Sequence, residues 1–389
     1  MATAPPGFEL VFRRPRAKVR AALFGHIGLL ESYFDGDVDL GGDLGQALAA
    51  GMAAGRDRPN ALVVVRNRWH EWRFSNASRE QARRNARAHY GLGTDFYRLW
   101  LDEALMMYTC AYWKDEPGTL EQAQRDKVEH VCRKLMIGAG DSVVDIGCGF
   151  GGFMFHAHER HGASVTGVNT TPEQVAMVRG EIGRRGLGDG LEVVEGDFRD
   201  AFREFDKVVS IGVLEHAGRD QLAEVVRAHA RFLKPGGLGL LHFIGHVGRH
   251  PTEFFIRKHV FPGGWIPGLA EVLVAMEEAG LEVLDIENLR RHYALTLDAW
   301  AQRFDRNWAR IQALDPARFD ERFRRVWRTY LYGCAELFRA GGGGGTHLFQ
   351  VLFSRGKTSW KTWPGTREYM YGPPRCARAP LRVVQGLGG

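Results

Sequence analysis

The sequence predicts an α/β fold built on an open, mostly parallel sheet with helices on both faces. Three observations predict it. Residues 141–169, DSVVDIGCGFGGFMFHAHERHGASVTGVN, run from a β-branched stretch through a glycine-rich turn into a helical stretch and then a short strand, a β-loop-α-β unit. Strand-like runs at Leu191–Val194, Lys207–Ile211 and Leu238–Phe243 alternate with helical stretches at 173–185, 219–232 and 268–279. Leu281–Leu289 and Leu348–Phe353 read as late strands closing the sheet as an antiparallel pair on its edge, with a long aromatic-rich helical segment, 296–339, between them.

The other elements follow in chain order. Residues 1 to about 20 carry Arg13, Arg14, Arg16, Lys18 and Arg20, and read either as a solvated terminus or as an arm touching anionic headgroups. Short helices broken by Gly-Asp turns are expected from Phe24 to Met52. Ala61–Phe74, ALVVVRNRWHEWRF, alternates and reads as a strand or hairpin. SREQARRNARAHYG, beginning at Ser78, is a strongly basic helix. In LEQAQRDKVEHVCRKLM, beginning at Leu120, Val128, Val131, Cys132 and Leu135 share a helical face. KPGG at 234–237 marks a turn, and Gly341–Gly345 is a flexible run. The division expected is a small N-terminal α+β accessory domain over 1–85, a linker and lid over 86–119, a catalytic domain over 120–356 and a tail over 357–389 with no assigned role.

Of 389 residues, 44% are hydrophobic and 25% charged, which excludes a disordered chain. There is no apolar run of spanning length and no apolar signal segment, so a cytoplasmic protein is expected. Five cysteines, at 110, 132, 148, 334 and 376, are odd in number and widely spaced, which fits a reducing compartment. No CxxC pair or compact His/Cys cluster points to zinc, so no metal is expected. The net charge of +6 favours an anionic partner. Nucleic acid is disfavoured because no nucleic-acid motif and no continuous basic stripe is visible.

The turn DIGCGFG places Asp145, Gly147, Gly149 and Gly151 between a strand and a helix. Its G-x-G-x-G spacing departs from the dinucleotide fingerprint, and no Lys-Ser/Thr pair follows as in an ATP phosphate loop. A methionine-derived nucleoside cofactor fits better. Its amino acid part would lie over the turn, with Asn169 meeting ribose hydroxyls and Asp197 and Phe198 meeting the adenine amino group and ring.

HYGLGTDFYRLWLD at 89–102, MYTCAYW at 107–113, LEQAQRDK at 120–127, VVDIGCGFGG at 143–152, SIGVLEHAG at 210–218, LLHFIG at 240–245, HYALTLDAW at 292–300 and YLYGCAELFR at 330–339 carry a specific likeness. Over about residues 25–356 the chain resembles the cyclopropane-fatty-acyl-phospholipid synthase family, which includes the mycolic acid cyclopropane synthases. GLLESYFDGDVDL at 28–40 is similar to the small N-terminal domain of its longer bacterial members. The resemblance implies the class I S-adenosylmethionine (SAM)-dependent methyltransferase fold, a mostly parallel seven-stranded sheet. It implies methyl transfer from SAM to the double bond of an unsaturated phospholipid acyl chain, followed by loss of a proton and ring closure.

By the same resemblance, Cys110, Glu215, His242, Tyr293 and Cys334 would hold a bicarbonate ion acting as the base. Tyr108, Thr109, Gly147, Gly149, Asn169, Thr170, Gln174, Asp197 and Phe198 would line the SAM site, with His89 and Tyr90 in a segment closing over it. The chain departs from the family pattern at Gly91, where aspartate is common, at Thr94, at Asn169 and at Leu214. These departures leave two other outcomes open: a fatty-acyl C-methyltransferase giving a methyl-branched or unsaturated chain, and a non-catalytic SAM- or lipid-binding module. Apolar routes for a lipid tail are offered by YRLWLDEALMMY, FFIRKHVFPGGWIP and WRTYLYGCAELF. Phe254, Phe255, Phe261, Trp265 and Ile266 beside Arg257, Lys258 and His259 suggest an interfacial segment on an anionic membrane, with the basic helix 79–87 adding to it. The expected state is a cytoplasmic protein associated peripherally with the inner face of the cytoplasmic membrane, with a homodimer possible.

Overall fold

A computed structural model describes residues 7–54, 61–76, 91–114, 118–200, 203–248, 252–340, 345–359 and 363–372, together with Ser78, Glu80, Gln81, Arg84, Asn85, His89 and His250. Two short strands, β1 (Phe8–Phe12) and β2 (Val38–Gly42), pair antiparallel near the N-terminus. The main sheet comprises β3 (Ser142–Ile146), β4 (Ser164–Asn169), β5 (Leu191–Glu195), β6 (Phe205–Ile211), β7 (Leu233–His246), β8 (Leu281–Asn288) and β9 (Thr346–Arg355). Their order is β5-β4-β3-β6-β7-β9-β8. The first five are parallel, and β9 runs antiparallel between β7 and β8. The expected late antiparallel pair is thus present at this edge of the sheet.

Alternating side chains explain why the sheet is covered on both faces. Val143, Val165, Val209 and Leu240 pack with α5 (Leu120–Lys134), α6 (Gly152–His161) and α7 (Pro172–Arg185). Val144, Val208, Leu241 and Val351 pack with α8 (Leu222–Phe232) and α9 (Leu269–Glu278). A third, aromatic core joins α4 (Thr94–Arg98) and the chain after it as far as Ala111 to α10 (Arg290–Arg306), α11 (Trp308–Leu314) and α12 (Glu321–Arg339), around the fully buried Trp100 and Trp300. KPGG makes its turn inside β7: Leu233 already pairs with Phe205, and regular pairing resumes at Lys207 with Leu238.

Two expectations near the N-terminus are corrected. Ala61–Phe74 is a helix, α3, following α1 (Pro15–Phe34) and α2 (Leu44–Ala54). Its β-branched start resembles a strand, but Val63, Arg66, His70 and Phe74 share the packed face at helical spacing. The arginine-rich N-terminus is not a free arm. Arg16 grips Asp37 through two hydrogen bonds, Arg13 pairs with Asp39 and Arg20 with Asp35, so these cations fasten α1 to the turn before β2. Arg325 of α12 donates to Tyr33 O, Val38 O and Asp39 Oδ1 and ties this layer to the rest of the chain.

Part of the tail gains a structural place. Glu368–Tyr371 forms a helical turn with Met370 buried; Met370 O lies 3.3 Å from His130 Nδ1 of α5, and Gly372 O, just after the turn, accepts from Arg133 Nη1 at 3.1 Å. Most of the basic helix 79–87, Tyr90, Gly341–Gly344 and the chain after Gly372 lie outside the described residues.

Candidate active site

The glycine turn sits at the carboxyl end of β3, beside the point where the strand order reverses between β3 and β6. Gly147, Gly149 and Gly151 all have positive φ, at 73°, 54° and 83°. A Cβ on Gly147 would lie 2.3 Å from Val213 Cγ2, so a side chain there meets both strain and a clash. Gly147 N and Cys148 N donate to Val168 O at 2.8 and 3.3 Å, which binds the turn to β4. Gly151 does not face the cavity. It caps α6, where a Cβ would meet Phe155 Cε2 at 2.8 Å.

A cavity of about 180 Å³ opens above this turn. Tyr108, Thr109, Asp145, Gly147, Gly149, Asn169, Thr170, Gln174, Asp197 and Phe198, ten of the eleven expected cofactor residues, line it. The detail differs from the sequence reading at two of them. Asn169 Nδ2 is engaged by Gly149 O and Gln174 Oε1, and its Oδ1 accepts from Thr171 N. It therefore braces the glycine turn as well as lining the cavity. Asp197 is clasped by Arg199 through Nε at 2.8 Å and Nη2 at 2.6 Å, an ion pair whose partner had no visible motif. Met107, Phe150, Arg199 and His216 also line the cavity and were not expected. His216 follows Glu215 in the motif LEHAG, the one signal that marks it.

Buried charge lies under this floor. Lys127 is fully buried and donates to Thr109 Oγ1 at 3.0 Å. Burial lowers its pKa to about 8, against the pull of Asp102, Cys110 and Asp145. Burial raises the Asp145 carboxyl to about 7, with Lys127 opposing.

A second cavity, of about 310 Å³, shares Tyr108, Thr109, Gly212 and His216 with the first. Its walls are mainly apolar, with Ile244, Ile256, Phe261, Trp265, Leu297 and Phe338 among them. Glu215, Tyr293 and Cys334 line it. Burial raises the Tyr293 phenol well above its ordinary value, with Tyr330, Cys110, Glu215 and Cys334 adding to the shift. Cys110 and His242 are not in the cavity wall. Cys110 is fully buried, with Sγ 3.2 Å from Ala111 O, and His242 is buried on β7.

The Glu215 carboxylate reaches the backbone of β7, where Oε1 accepts from Ile244 N at 2.6 Å, two residues beyond His242 in sequence. Glu215 Oε2 and His242 Nε2 are both buried and find no hydrogen-bond partner among the described residues. Burial raises the Glu215 pKa to about 7, with the Ile244 amide opposing. His242 is pushed well below its ordinary pKa by burial and by Lys127 and Lys134. It is therefore neutral near pH 7.

The segment 254–266 is a wall and not an exposed membrane loop. Phe254, Phe255, Trp265 and Arg257 are buried. The Arg257 guanidinium is held by Asn67 at 2.9 Å and Glu71 at 3.4 Å, and Glu31 takes both Lys258 Nζ and His259 Nε2. These acids lie roughly two hundred positions away in sequence, so local reading could not pair them. Among the described residues the fold does gather one His/Cys group, Cys132, His156 and His161. Glu129 Oε2 already meets both imidazoles at 3.1 and 3.0 Å, and Arg133 takes its other oxygen, so this network is satisfied as it stands.

The sheet order, the glycine turn and the cavity at its tip define a SAM-dependent methyltransferase. The chain belongs to the mycolic acid cyclopropane synthetase family, whose model matches residues 77–348. It is 36% identical over 350 residues to a probable fatty acid methyltransferase of Pseudomonas putida, covering 87% of this chain and 85% of that one. It is 34% identical over 336 residues to the cyclopropane-fatty-acyl-phospholipid synthase of Escherichia coli K12, covering 85% and 84%. The solved structure of the mycolic acid cyclopropane synthase CmaA1 complexed with SAH and CTAB superposes with a TM-score of 0.64 at 29% identity, over 70% of this chain and 98% of that chain. The family resemblance, the fold and SAM as methyl donor are thus borne out. No helix among the described residues is long and apolar enough to cross a membrane.

Proposed function

We propose that the protein transfers a methyl group from SAM to the cis double bond of an unsaturated phospholipid acyl chain and closes a cyclopropane ring, releasing S-adenosylhomocysteine. The observation that carries this reading is the wall shared by the two cavities: a glycine-floored space lined by the polar side chains of Asp145, Asn169, Gln174 and Asp197 abuts a mainly apolar one at Tyr108, Thr109, Gly212 and His216. An electrophile in the first can meet a lipid tail in the second without crossing water.

SAM supplies an electrophilic methyl on a sulfonium. The π electrons of the alkene form the new carbon–carbon bond, the sulfur–carbon bond breaks, and positive charge remains on the acyl chain. Tyr108 stands between Trp100, at 5.0 Å, and Trp300, at 5.3 Å, and offers aromatic faces beside the shared wall to that cation. The apolar walls exclude water, which would trap the cation as an alcohol.

Ring closure needs a base for one proton of the new methyl group. The orphaned Glu215 Oε2 and His242 Nε2, with Tyr293 on the cavity wall that Glu215 also lines, fit a small oxyanion. Bicarbonate bound there supplies the base. Glu215, protonated over much of the neutral range, donates from Oε2. His242 donates from Nε2, and Tyr293 donates from its hydroxyl. Cys110 and Cys334 stay thiols, since burial raises both well above neutral; Cys334 lines the cavity and Cys110 lies buried outside its wall.

The test is incubation with SAM, bicarbonate and unsaturated phosphatidylethanolamine vesicles, followed by NMR of the recovered lipid. Upfield cyclopropane protons with loss of the alkene signal support the reading. A methylated chain that keeps an alkene proton would replace it with acyl C-methylation.

A further inference from the structure

Helix α3 shows two unlike faces. Its inner face packs on the chain that lines the apolar cavity. Val63 clusters with Ile27 and Phe254, the His70 ring lies 5.3 Å from that of Phe254, and the Arg66 guanidinium lies 5.1 Å above the same ring. Asn67 and Glu71 hold Arg257.

The outer face carries Val65, Trp69 and Trp72, spaced as i, i+4 and i+7, at 66%, 57% and 77% exposure. No other tryptophan among the described residues is exposed. A contiguous apolar stripe in water marks a contact surface. Arg68 and Arg73 are exposed beside it, while the only acid of the helix, Glu71, is paired with Arg257.

Position adds to composition. Thr252, Glu253 and Ile256, on either side of Phe254, line the apolar cavity, and the Glu253 side chain is 55% exposed. The helix therefore stands at the cavity mouth. Tryptophans with flanking arginines suit a headgroup boundary, where indole rings sit among the upper acyl carbons and guanidinium groups meet phosphate.

We propose that the outer face of α3 docks on an anionic phospholipid bilayer through Trp69, Trp72, Arg68 and Arg73, and so sets the mouth of the apolar cavity against the lipid. This inference rests on the lipid reading of that cavity. It relocates the membrane contact from 254–266, which the fold buries, to the helix packed over it.

The test is co-sedimentation of the full chain with vesicles of unsaturated phosphatidylglycerol and phosphatidylethanolamine. Trp69→Ala combined with Trp72→Ala lowers the apparent partition constant by about tenfold or more, with thermal melting and S-adenosylhomocysteine affinity unchanged. Arg68→Gln with Arg73→Gln weakens binding by about fivefold per arginine on these vesicles and has no effect on neutral phosphatidylcholine. Unchanged partition in the tryptophan variant overturns the docking site. So does conversion of a dimer to a monomer with partition unchanged, which makes the face a contact between copies. The two readings fail separately: vesicle binding through α3 with no turnover on vesicles or detergent-dispersed lipid removes methyl transfer and leaves docking. Turnover that persists with the variant bound as tightly as wild type removes docking alone.

Discussion

Gln350 Nε2 lies 3.1 Å from His242 Nδ1, across the antiparallel pair of β7 and β9. Lys134 Nζ, buried on α5, donates to Gln350 Oε1 at 2.9 Å and to Glu287 Oε2 at 2.6 Å. An ammonium offers only donors, so it fixes the amide with its oxygen toward Lys134 and its NH2 toward the imidazole. Nδ1 must then accept, and the proton of the neutral ring sits on Nε2, the nitrogen without a protein partner. The tautomer needed to donate to an oxyanion is thus set from outside the cavity.

Gln350→Glu tests this arrangement with almost no change of shape. A carboxylate accepts from Lys134 and from the imidazole, which moves the ring proton to Nδ1 and turns Nε2 into an acceptor. Turnover is expected to fall by about 10- to 100-fold while SAM affinity holds. Nitrogen-15 NMR of His242 should report the changed tautomer. Equal turnover with a confirmed change of tautomer would remove His242 from the donor set.

Glu215→Gln should separate stability from function. Burial raises the folded pKa to about 7 from an ordinary 4.5, so the folded protein binds this proton more tightly than the unfolded chain. Stability from this group is present below the unfolded pKa and is lost as pH rises through about 7. An uncharged amide avoids that loss and still accepts from the Ile244 amide. Melting of the variant should exceed wild type at pH 8, by up to about 3 kcal/mol, and show little gain at pH 5. The amide NH2 still donates where Oε2 did, so turnover should fall only modestly, whereas Glu215→Leu, which offers no donor, should cost about 100-fold or more at both pH values. Calorimetric melts at the two pH values check the sign.

Gly147→Ala should act on the cofactor site. Its φ of 73° is strained for any side chain, and the added Cβ would press on Val213. The strain is about 1–3 kcal/mol before the clash is counted. S-adenosylhomocysteine affinity measured by calorimetry is expected to drop by about tenfold or more. Adding Val213→Ala relieves the clash but not the strain, so recovery should be partial.

The central strands were legible because parallel strands buried on both faces leave short β-branched runs between helices. Helix α3 was misread because Val63, Val64 and Val65 imitate a strand, while its packing on Phe254 becomes visible only in three dimensions. The pairing of Arg257 with Glu71 and of Lys258 with Glu31 was hidden for the same reason, and that moved the expected membrane contact. Of the site, the glycine turn and the residues on quoted motifs were readable. The Asp197–Arg199 clasp and the Lys134–Gln350–His242 chain were not. Neither belongs to a motif, and the second joins residues more than a hundred positions apart on separate elements.

The fate of the methyl protons tests the account most directly. With SAM carrying a trideuterated methyl group, unsaturated phospholipid vesicles and bicarbonate, mass spectrometry and NMR of the product should show a cyclopropane CD2 group, one deuteron having left to the bound base. A product that keeps all three deuterons as a CD3 branch beside an alkene would show that the proton leaves the acyl chain, and would contradict ring closure at this site.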